Sequence, residues 1–167
     1  MELNVVRKGN QVKRYHTVNL LVPETVGHHS ANVAGILIAI LHPVNPNGNL
    51  MCAALTHDWA EQFTGDVPAT AKWISPSLAH AVKQMEEAWH EAIPLPRPGL
   101  MLTNDEEALL KFADTYDLVM KCEEEIAMGN QEMVEVLLRG VDSCESLLPS
   151  IDSQYRTKCE ELLNGRK

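Results

Sequence analysis

Residues 50–63 read LMCAALTHDWAEQF, a run of small and apolar residues with a histidine–aspartate pair, His57 and Asp58, near its middle. The apolar residues recur at helical spacing, so the run predicts a helix with one buried face. A glycine at position 65 and a proline at position 68 then end it. Burying a carboxylate is costly unless it is paired, protonated or metal-bound, so this pair is the first candidate for chemistry.

Helical patterns also occupy most of the chain on either side of this run. The segment from residue 24 to about residue 42 is apolar around nearly its whole circumference, which is typical of a central buried helix. No segment shows the strict alternation of a strand rich in Val, Ile and Thr. We therefore predict a single all-α domain over residues 1–167, a bundle of about six helices. The other helices are predicted at 75–92, 103–128, 131–147 and 150–163, with a proline-rich loop at 94–99.

Charge and composition exclude several classes of protein. The 167 residues include 14 Lys and Arg against 23 Asp and Glu, a formal net charge of −9 that disfavours binding to a nucleic-acid polymer or an anionic membrane. The longest nearly unbroken apolar stretch, 33–41, is shorter than the roughly 20 residues of a membrane span. No apolar signal region begins the chain and the four cysteines form no C-x-x-C pair, which indicates a reducing cytoplasm. The acidic run at 123–125 is interpreted as a solvated helix face.

Four polar side chains within apolar helical patterns form a candidate metal-ligand set. His29 falls in the most apolar helix, and Asp114 has a leucine one turn before it and another one turn after it. A single histidine on an apolar helix face is more often hydrogen-bonded in the core than bound to a metal. A single aspartate within a helix is more often solvated or paired with a nearby charge. Together with His57 and Asp58, they supply nitrogen and oxygen ligands that suit Zn, Co, Mn or Fe. Glu61 follows His57 by four residues, on the same side of a helix, where it could act as a general acid or base beside the ion.

The order of these residues, with the motifs around them, resembles the HD-domain phosphohydrolases. A block H-D-x-x-E-x-x-T-G-D-x-P begins at His57, and a K-x-x-D motif follows at 111–114. With the His-His-Ser triplet at 28–30 and the segment 109–130, this pattern is similar to the bacterial YfbR-like 5′-deoxynucleotidases and to compact phage enzymes that hydrolyse dATP. The similarity covers about residues 13–135. It implies an all-α HD domain that binds one divalent transition metal: Zn, Co or Mn.

The resemblance also implies roles for individual side chains. The family's metal ligands fall on four residues: His29, His57, Asp58 and Asp114. Its catalytic acidic residues fall on Glu61 and Asp66. Its substrate contacts fall on five residues: Arg14, Tyr15, Thr17, Lys72 and Lys111. The arginine and the two lysines match phosphate contacts, and the tyrosine matches an aromatic residue, often Trp, near the sugar and base.

The function that the resemblance implies is hydrolysis of 2′-deoxynucleotides by a metal-activated water, with release of the deoxynucleoside. The leading interpretation is a dATP-preferring triphosphohydrolase, because residues 13–17 (KRYHT) and the two lysines resemble the phage enzymes. The alternative is a deoxynucleoside 5′-monophosphatase. Two weaker hypotheses are cleavage of a cyclic nucleotide or other phosphodiester and a non-catalytic nucleotide-binding role. The relatives also imply a homo-oligomer in a bacterial or phage-infected cytoplasm.

Overall fold

The computed structural model describes residues 4–92 and 101–165, and the regular structure in these ranges is helical. The extended pairing in these ranges is an isolated antiparallel bridge between Lys13 and Thr25. The prediction of an all-α fold is therefore confirmed for the described part of the chain. The proline-rich loop predicted at 94–99 lies outside the described residues.

The α-helices of the described residues are numbered in chain order. They are α1 (Asn4–Asn10), α2 (Val26–Leu41), α3 (Gly48–Thr56), α4 (Glu61–Thr64), α5 (Ala69–Ile74), α6 (Pro76–Ala92), α7 (Asn104–Ala127), α8 (Val134–Leu147) and α9 (Ser153–Asn164). Short 3₁₀ turns at Gln131–Met133 and Leu148–Ser150 precede α8 and α9.

The described residues contain more α-helices than the six or so that the sequence predicts. Two short helices, α1 and α5, form where no helix is predicted, and one predicted helix is divided. The helix predicted at 50–63 ends at Thr56 and resumes as α4 after a turn. In that turn the Trp59 N–H donates to the Thr56 carbonyl at 3.1 Å and the Glu61 N–H donates to the Asp58 carbonyl at 3.0 Å. This three-residue spacing is tighter than that of an α-helix. The chain therefore changes direction at the histidine–aspartate pair.

The core lies between α2 and α7. Val33 and Leu37 of α2 and Phe112 and Val119 of α7 are all 0% exposed. Each large apolar side chain buried in this way contributes about 1.5–3 kcal/mol to folding. Gly140 lets α8 approach α7 closely, since a Cβ atom there would lie 3.1 Å from Val119 Cγ2. This packing sets the relative position of the helices that carry His29 and Asp114.

The start of α7 agrees with its prediction at residue 103. The Thr103 hydroxyl accepts a hydrogen bond from the Glu106 N–H, and the Glu106 carboxylate accepts one from the Thr103 N–H. This reciprocal arrangement satisfies two backbone donors that the helix itself leaves unpaired. Three acidic residues in the first turn also favour the positive end of the helix dipole.

Candidate active site

Side chains from α2, from the turn between α3 and α4, and from α7 converge on one point. His29 Nε2 lies 3.2 Å from His57 Nε2 and 3.1 Å from Asp114 Oδ1. Asp58 completes the group, with Oδ2 3.5 Å from His29 Nε2 and Oδ1 3.4 Å from His57 Nε2. The structure thus brings together all four side chains that the sequence analysis predicts as metal ligands. We call these four residues the donor cluster.

The turn between α3 and α4 explains how two adjacent residues reach the same point. On a continuous helix, neighbouring side chains diverge by about 100°. In the turn, His57 Nδ1 lies 3.0 Å from the Ala54 carbonyl oxygen, and Asp58 Oδ2 accepts a hydrogen bond from Arg14 Nη1 at 2.9 Å. These contacts hold the imidazole and the carboxylate on the same side of the chain.

Hydrogen bonds to the two imidazole rings leave both Nε2 atoms as acceptors. His29 Nδ1 lies 2.6 Å from Asp117 Oδ2, and His57 Nδ1 lies 3.0 Å from the Ala54 carbonyl oxygen. A carboxylate and a carbonyl only accept hydrogen bonds, so each Nδ1 carries a proton. With that proton on Nδ1, the neutral form of each ring directs the Nε2 lone pair into the donor cluster. Two lone pairs and two carboxylates repel one another unless a cation lies among them.

A divalent cation fits this set of donors. Four ligands in a tetrahedral site, each about 2.0–2.1 Å from the ion, lie roughly 3.3–3.4 Å from one another. The separations measured between donor-cluster atoms run from 3.1 to 3.9 Å. A proton can also relieve the repulsion: burial opposes protonation of His29, but hydrogen bonds to Asp114 and Asp117 raise its pKa to about 9. A bound divalent ion would release that proton.

Asp117 is a site residue that the sequence analysis missed. It is 3% exposed and lies on α7, three residues after Asp114. Its carboxylate accepts the Nδ1 hydrogen bond of His29, which sets the tautomer and the orientation of the ring. Carboxylates support metal-binding histidines in this way in many proteins. The sequence carries a signal for it, since an aspartate three residues after a predicted ligand lies on the same helix face.

We expect the substitution Asp117→Ala to weaken metal binding by about 10–100-fold. His29 would lose the acceptor that holds its Nδ1 proton, so its Nε2 lone pair would no longer be directed into the donor cluster. Isothermal titration of the metal-stripped protein with Zn or Co measures the affinity. Asp142→Ala, at an exposed aspartate of α8, is the matched control and should bind like the wild type. Equal affinities for both variants would show that His29 is oriented without Asp117.

Arg14 connects the donor cluster to the loop before α2. Its Nη1 donates to Asp58 Oδ2 at 2.9 Å, and its Nε lies 3.3 Å from Glu24 Oε1. Glu24 is 7% exposed and was also missed in the sequence analysis, because it precedes the helix and shows no pattern. A guanidinium has five N–H donors, and the hydrogen bond to Asp58 occupies one of them. Arg14 therefore keeps donors with which to bind an oxyanion.

Glu61 is a buried carboxyl group at the edge of the pocket. It is 5% exposed, and its Oε2 has no hydrogen-bond partner among the described residues. Burial, followed by the charges of Asp58 and Asp66, raises the pKa of Glu61 to about 9. A carboxyl group that holds its proton near neutral pH and faces a pocket can exchange that proton with a bound molecule.

Asp66 contacts the backbone of the loop that carries Arg14 and Tyr15. Its Oδ2 accepts a hydrogen bond from the Tyr15 N–H at 3.0 Å. Tyr15 has a φ of 57°, a left-handed conformation that a bulky side chain rarely adopts. The guanidinium of Arg14 lies 5.4 Å from the centroid of the Tyr15 ring. Asp66 therefore stabilises a strained turn that places the arginine and the tyrosine side by side.

A cavity of about 850 Å³ opens beside the donor cluster, within the usual range of small-molecule sites. The predicted catalytic and substrate-binding residues all line it: Arg14, Tyr15, Thr17, Glu61, Asp66, Lys72 and Lys111. Lys111 Nζ lies 2.7 Å from Asp114 Oδ2, so this lysine also contacts the donor cluster. Lys83 of α6 lines the same cavity and was missed, because it falls outside the motifs of the resemblance.

An all-helical fold with a His, His-Asp, Asp donor cluster beside such a cavity defines the class of HD-domain phosphohydrolases. Within that class, the sequence matches the YfbR-like 5′-deoxynucleotidase family over residues 3–155, and the chain belongs to this family. The resemblance described in the sequence analysis is therefore confirmed over nearly the whole chain.

Individual relatives agree with the family match. The chain is 29% identical over 147 residues to the 5′-deoxynucleotidase of Yersinia pestis (strain Pestoides F), covering 77% of this chain and 75% of the relative. The fold of this chain is similar to that of the cyanophage S-2L HD phosphohydrolase DatZ, whose structure was solved bound to dA and one catalytic Zn²⁺ ion. The TM-score is 0.75 at 19% sequence identity, and the match covers 99% of this chain and 95% of DatZ. A protein from Pyrococcus horikoshii OT3 has the same fold (TM-score 0.66, 16% identity, 98% and 95% covered).

Proposed function

We propose that the protein is a metal-dependent phosphohydrolase that acts on 2′-deoxynucleotides and releases the deoxynucleoside. The observation that carries this proposal is the convergence of the donor cluster beside a cavity that also holds Arg14 and Glu61. Membership of the YfbR-like family supports the same substrate class. The dA molecule held by the cyanophage protein, which shares the fold, is consistent with it.

The donor cluster is proposed to hold one divalent transition metal ion. Zn, Co and Mn all suit two imidazole nitrogens and two carboxylate oxygens. When bound, such an ion lowers the pKa of water and polarises a phosphoryl oxygen. The donor separations support this assignment, as do the Nδ1 contacts of both histidines, which leave Nε2 as the metal-binding nitrogen.

The other site residues are proposed to bind and orient the substrate and to move a proton. Arg14 offers N–H donors to phosphate oxygens, which a guanidinium binds in a fixed geometry. Glu61 exchanges a proton at Oε2 with the reacting oxygens, as its burial and raised pKa favour. Asp66 is proposed to hold the turn at Arg14 and Tyr15 by accepting the hydrogen bond of the Tyr15 N–H. The Tyr15 ring and Thr17, which line the cavity, are proposed to contact the sugar and base.

For the finer substrate, we propose a deoxynucleoside triphosphate, with dATP preferred. Lys72, Lys83 and Lys111 line a cavity large enough for a small-molecule ligand with a phosphate chain. Phosphoryl transfer requires cations near the oxygens of the transferred group, and a triphosphate requires more of them than a monophosphate. The products would be deoxyadenosine and triphosphate, with one water consumed.

A second candidate is a deoxynucleoside 5′-monophosphatase. The family match and the Yersinia relatives, which are 5′-deoxynucleotidases, favour this activity. In that case Arg14 and the donor cluster suffice for the single phosphate. Lys72 and Lys83 then act as solvated side chains at the rim of the cavity, and Lys111 stays paired with Asp114.

Neutralising Lys72 distinguishes the two candidates. We expect Lys72→Met to raise KM for dATP by about tenfold, the effect of losing one contact between charged groups, and to leave KM for dAMP unchanged. Steady-state kinetics with both substrates measure the effect. Lys8→Met, at an exposed lysine of α1, is the control. No change in KM for dATP would contradict the role of Lys72 in binding the phosphate chain.

Product analysis tests the proposal as a whole. The metal-loaded protein is incubated separately with dATP, dAMP, ATP and AMP, and the products are separated by chromatography. We expect deoxyadenosine and triphosphate from dATP, with little product from the ribonucleotides. Deoxyadenosine from dAMP alone would establish the second candidate. No deoxynucleoside from either deoxynucleotide would contradict both.

Partners and location stay predictions from the sequence. The resemblance predicts a homo-oligomer with a small deoxynucleotide as ligand, and the net charge predicts that no nucleic-acid polymer is bound. The cysteines and the resemblance predict the cytoplasm. Within the described ranges, none of the helices combines the length and apolarity that crossing a bilayer demands.

A further inference from the structure

The loop between α1 and α2, residues 11–25, carries the proposed substrate contacts Arg14 and Tyr15. One end is fixed to the start of α2, where the Val26 N–H donates to the Val12 carbonyl at 2.9 Å. The rest of the loop is irregular, so its position depends on contacts with the body of the protein. Asp58 and Asp66 hold the part of the loop at Arg14 and Tyr15. The middle of the loop is held from the far end of α7.

Glu125 of α7 holds the middle of this loop. It is 0% exposed, and its carboxylate accepts hydrogen bonds from the Leu21 N–H at 2.8 Å and the Val22 N–H at 2.9 Å. Lys121, one turn earlier, lies with Nζ 2.9 Å from Glu125 Oε1. The interpretation of residues 123–125 as a solvated face is therefore wrong for Glu125, which is buried by a segment about 100 residues away in sequence.

Asn130, just after α7, adds a second hydrogen-bonded contact to the loop. Its Nδ2 donates to the Asn19 carbonyl oxygen and to Glu125 Oε2, both at 2.9 Å. Burial opposes ionisation of Glu125, but hydrogen bonds from Asn130, from the loop backbone and from the lysine lower its pKa to about 2. The carboxylate is therefore charged at neutral pH and is surrounded by donors.

We propose that Glu125 is a positioning residue for substrate binding, which acts by holding the 11–25 loop so that Arg14 and Tyr15 face the cavity. The inference rests on the proposed function, because it takes those two residues as substrate contacts. Glu125 itself does not line the cavity. It lies eleven residues after Asp114 on α7, about 16 Å along the helix. The same helix thus carries one residue of the donor cluster and the residue that holds the middle of the substrate loop.

A carboxylate suits this role because four donors converge on it. Two are consecutive backbone N–H groups, one is the Asn130 amide and one is the Lys121 ammonium. A glutamine in its place would have one acceptor oxygen and an NH₂ group of its own. That NH₂ would face a backbone donor, so Glu125→Gln should release part of the loop with little change in side-chain volume.

The test compares Glu125→Gln with Glu124→Gln. Glu124 also contacts Lys121, at 3.2 Å, but no contact to the loop is found for it among the described residues. We expect Glu125→Gln to raise KM for the hydrolysed deoxynucleotide by about tenfold or more, with zinc affinity unchanged. Amide hydrogen exchange of Leu21 and Val22 should accelerate at least tenfold, while that of the core of α2 stays the same. Glu124→Gln should match the wild type in every measurement.

Asn130→Ala provides the same test if Glu125→Gln does not fold. It leaves the Glu125–Lys121 pair in place and removes only the hydrogen bonds that Asn130 makes to Asn19 and Glu125. Faster loop exchange with an unchanged KM would overturn the inference. A rise in KM accompanied by an equal loss of zinc affinity would also overturn the inference, since a general structural defect lowers both affinities together. A wild type without deoxynucleotide hydrolysis would overturn the proposed function first. An active wild type with unaffected variants would overturn the inference alone.

Discussion

Asp58→Asn is expected to abolish metal binding and to reduce hydrolysis by at least about 1,000-fold. Metal-ion catalysis supplies several kcal/mol of transition-state stabilisation, and each 1.36 kcal/mol is tenfold in rate. Asp58 faces both imidazoles of the donor cluster and pairs with Arg14 at 2.9 Å. An asparagine keeps the size of the side chain but loses the charge that both interactions require.

Metal content after dialysis and the rate of deoxynucleoside release measure this effect. Asp142→Asn, at an exposed position of α8, is the matched control and should retain wild-type metal content and rate. An Asp58→Asn protein that retains one metal ion per chain and full activity would remove Asp58 from the donor cluster.

Glu61→Gln is expected to keep the metal and to lower kcat by about 100–10,000-fold, the range for a general acid or base. Glu61 lines the cavity, its Oε2 has no hydrogen-bond partner among the described residues, and burial raises its pKa to about 9. A glutamine fills the same space but cannot transfer a proton. The donor cluster does not include Glu61, so metal affinity should stay at the wild-type value.

Single-turnover rates and metal titrations on the same preparation separate the two effects. Glu132→Gln, at an exposed glutamate after α7, serves as the control and should turn over like the wild type. A normal kcat in Glu61→Gln would exclude it from proton transfer. A parallel loss of metal would show instead that Glu61 supports the donor cluster.

The residues of the donor cluster can be singled out from the sequence because their signals are local. His29, Asp58 and Asp114 are polar residues within strongly apolar helical patterns, and such residues must be paired, protonated or metal-bound when buried. The core helices α2 and α7 are likewise predicted, since their apolar patterns are long and the capping residues of α7 stand at the expected place.

Other features depend on contacts between distant segments and could not be predicted in this way. The turn at residues 57–60 replaces a helix whose pattern is favourable, because contacts from Arg14 and from the donor cluster hold the pair there. Glu24 is buried by its approach to Arg14. Glu125 belongs to an acidic run that is typical of solvated helices, but its carboxylate accepts hydrogen bonds from the distant loop at 21–22 and from Asn130.

The central claim is that one metal ion in the donor cluster enables release of a deoxynucleoside. The most direct test titrates metal-stripped protein with Zn, Co or Mn while deoxyadenosine release from dATP and dAMP is followed by chromatography. We predict no release from the stripped protein and a rate that rises with metal until one ion is bound per chain. Full activity in the stripped protein, or no release after loading with any of the three metals, would contradict the account.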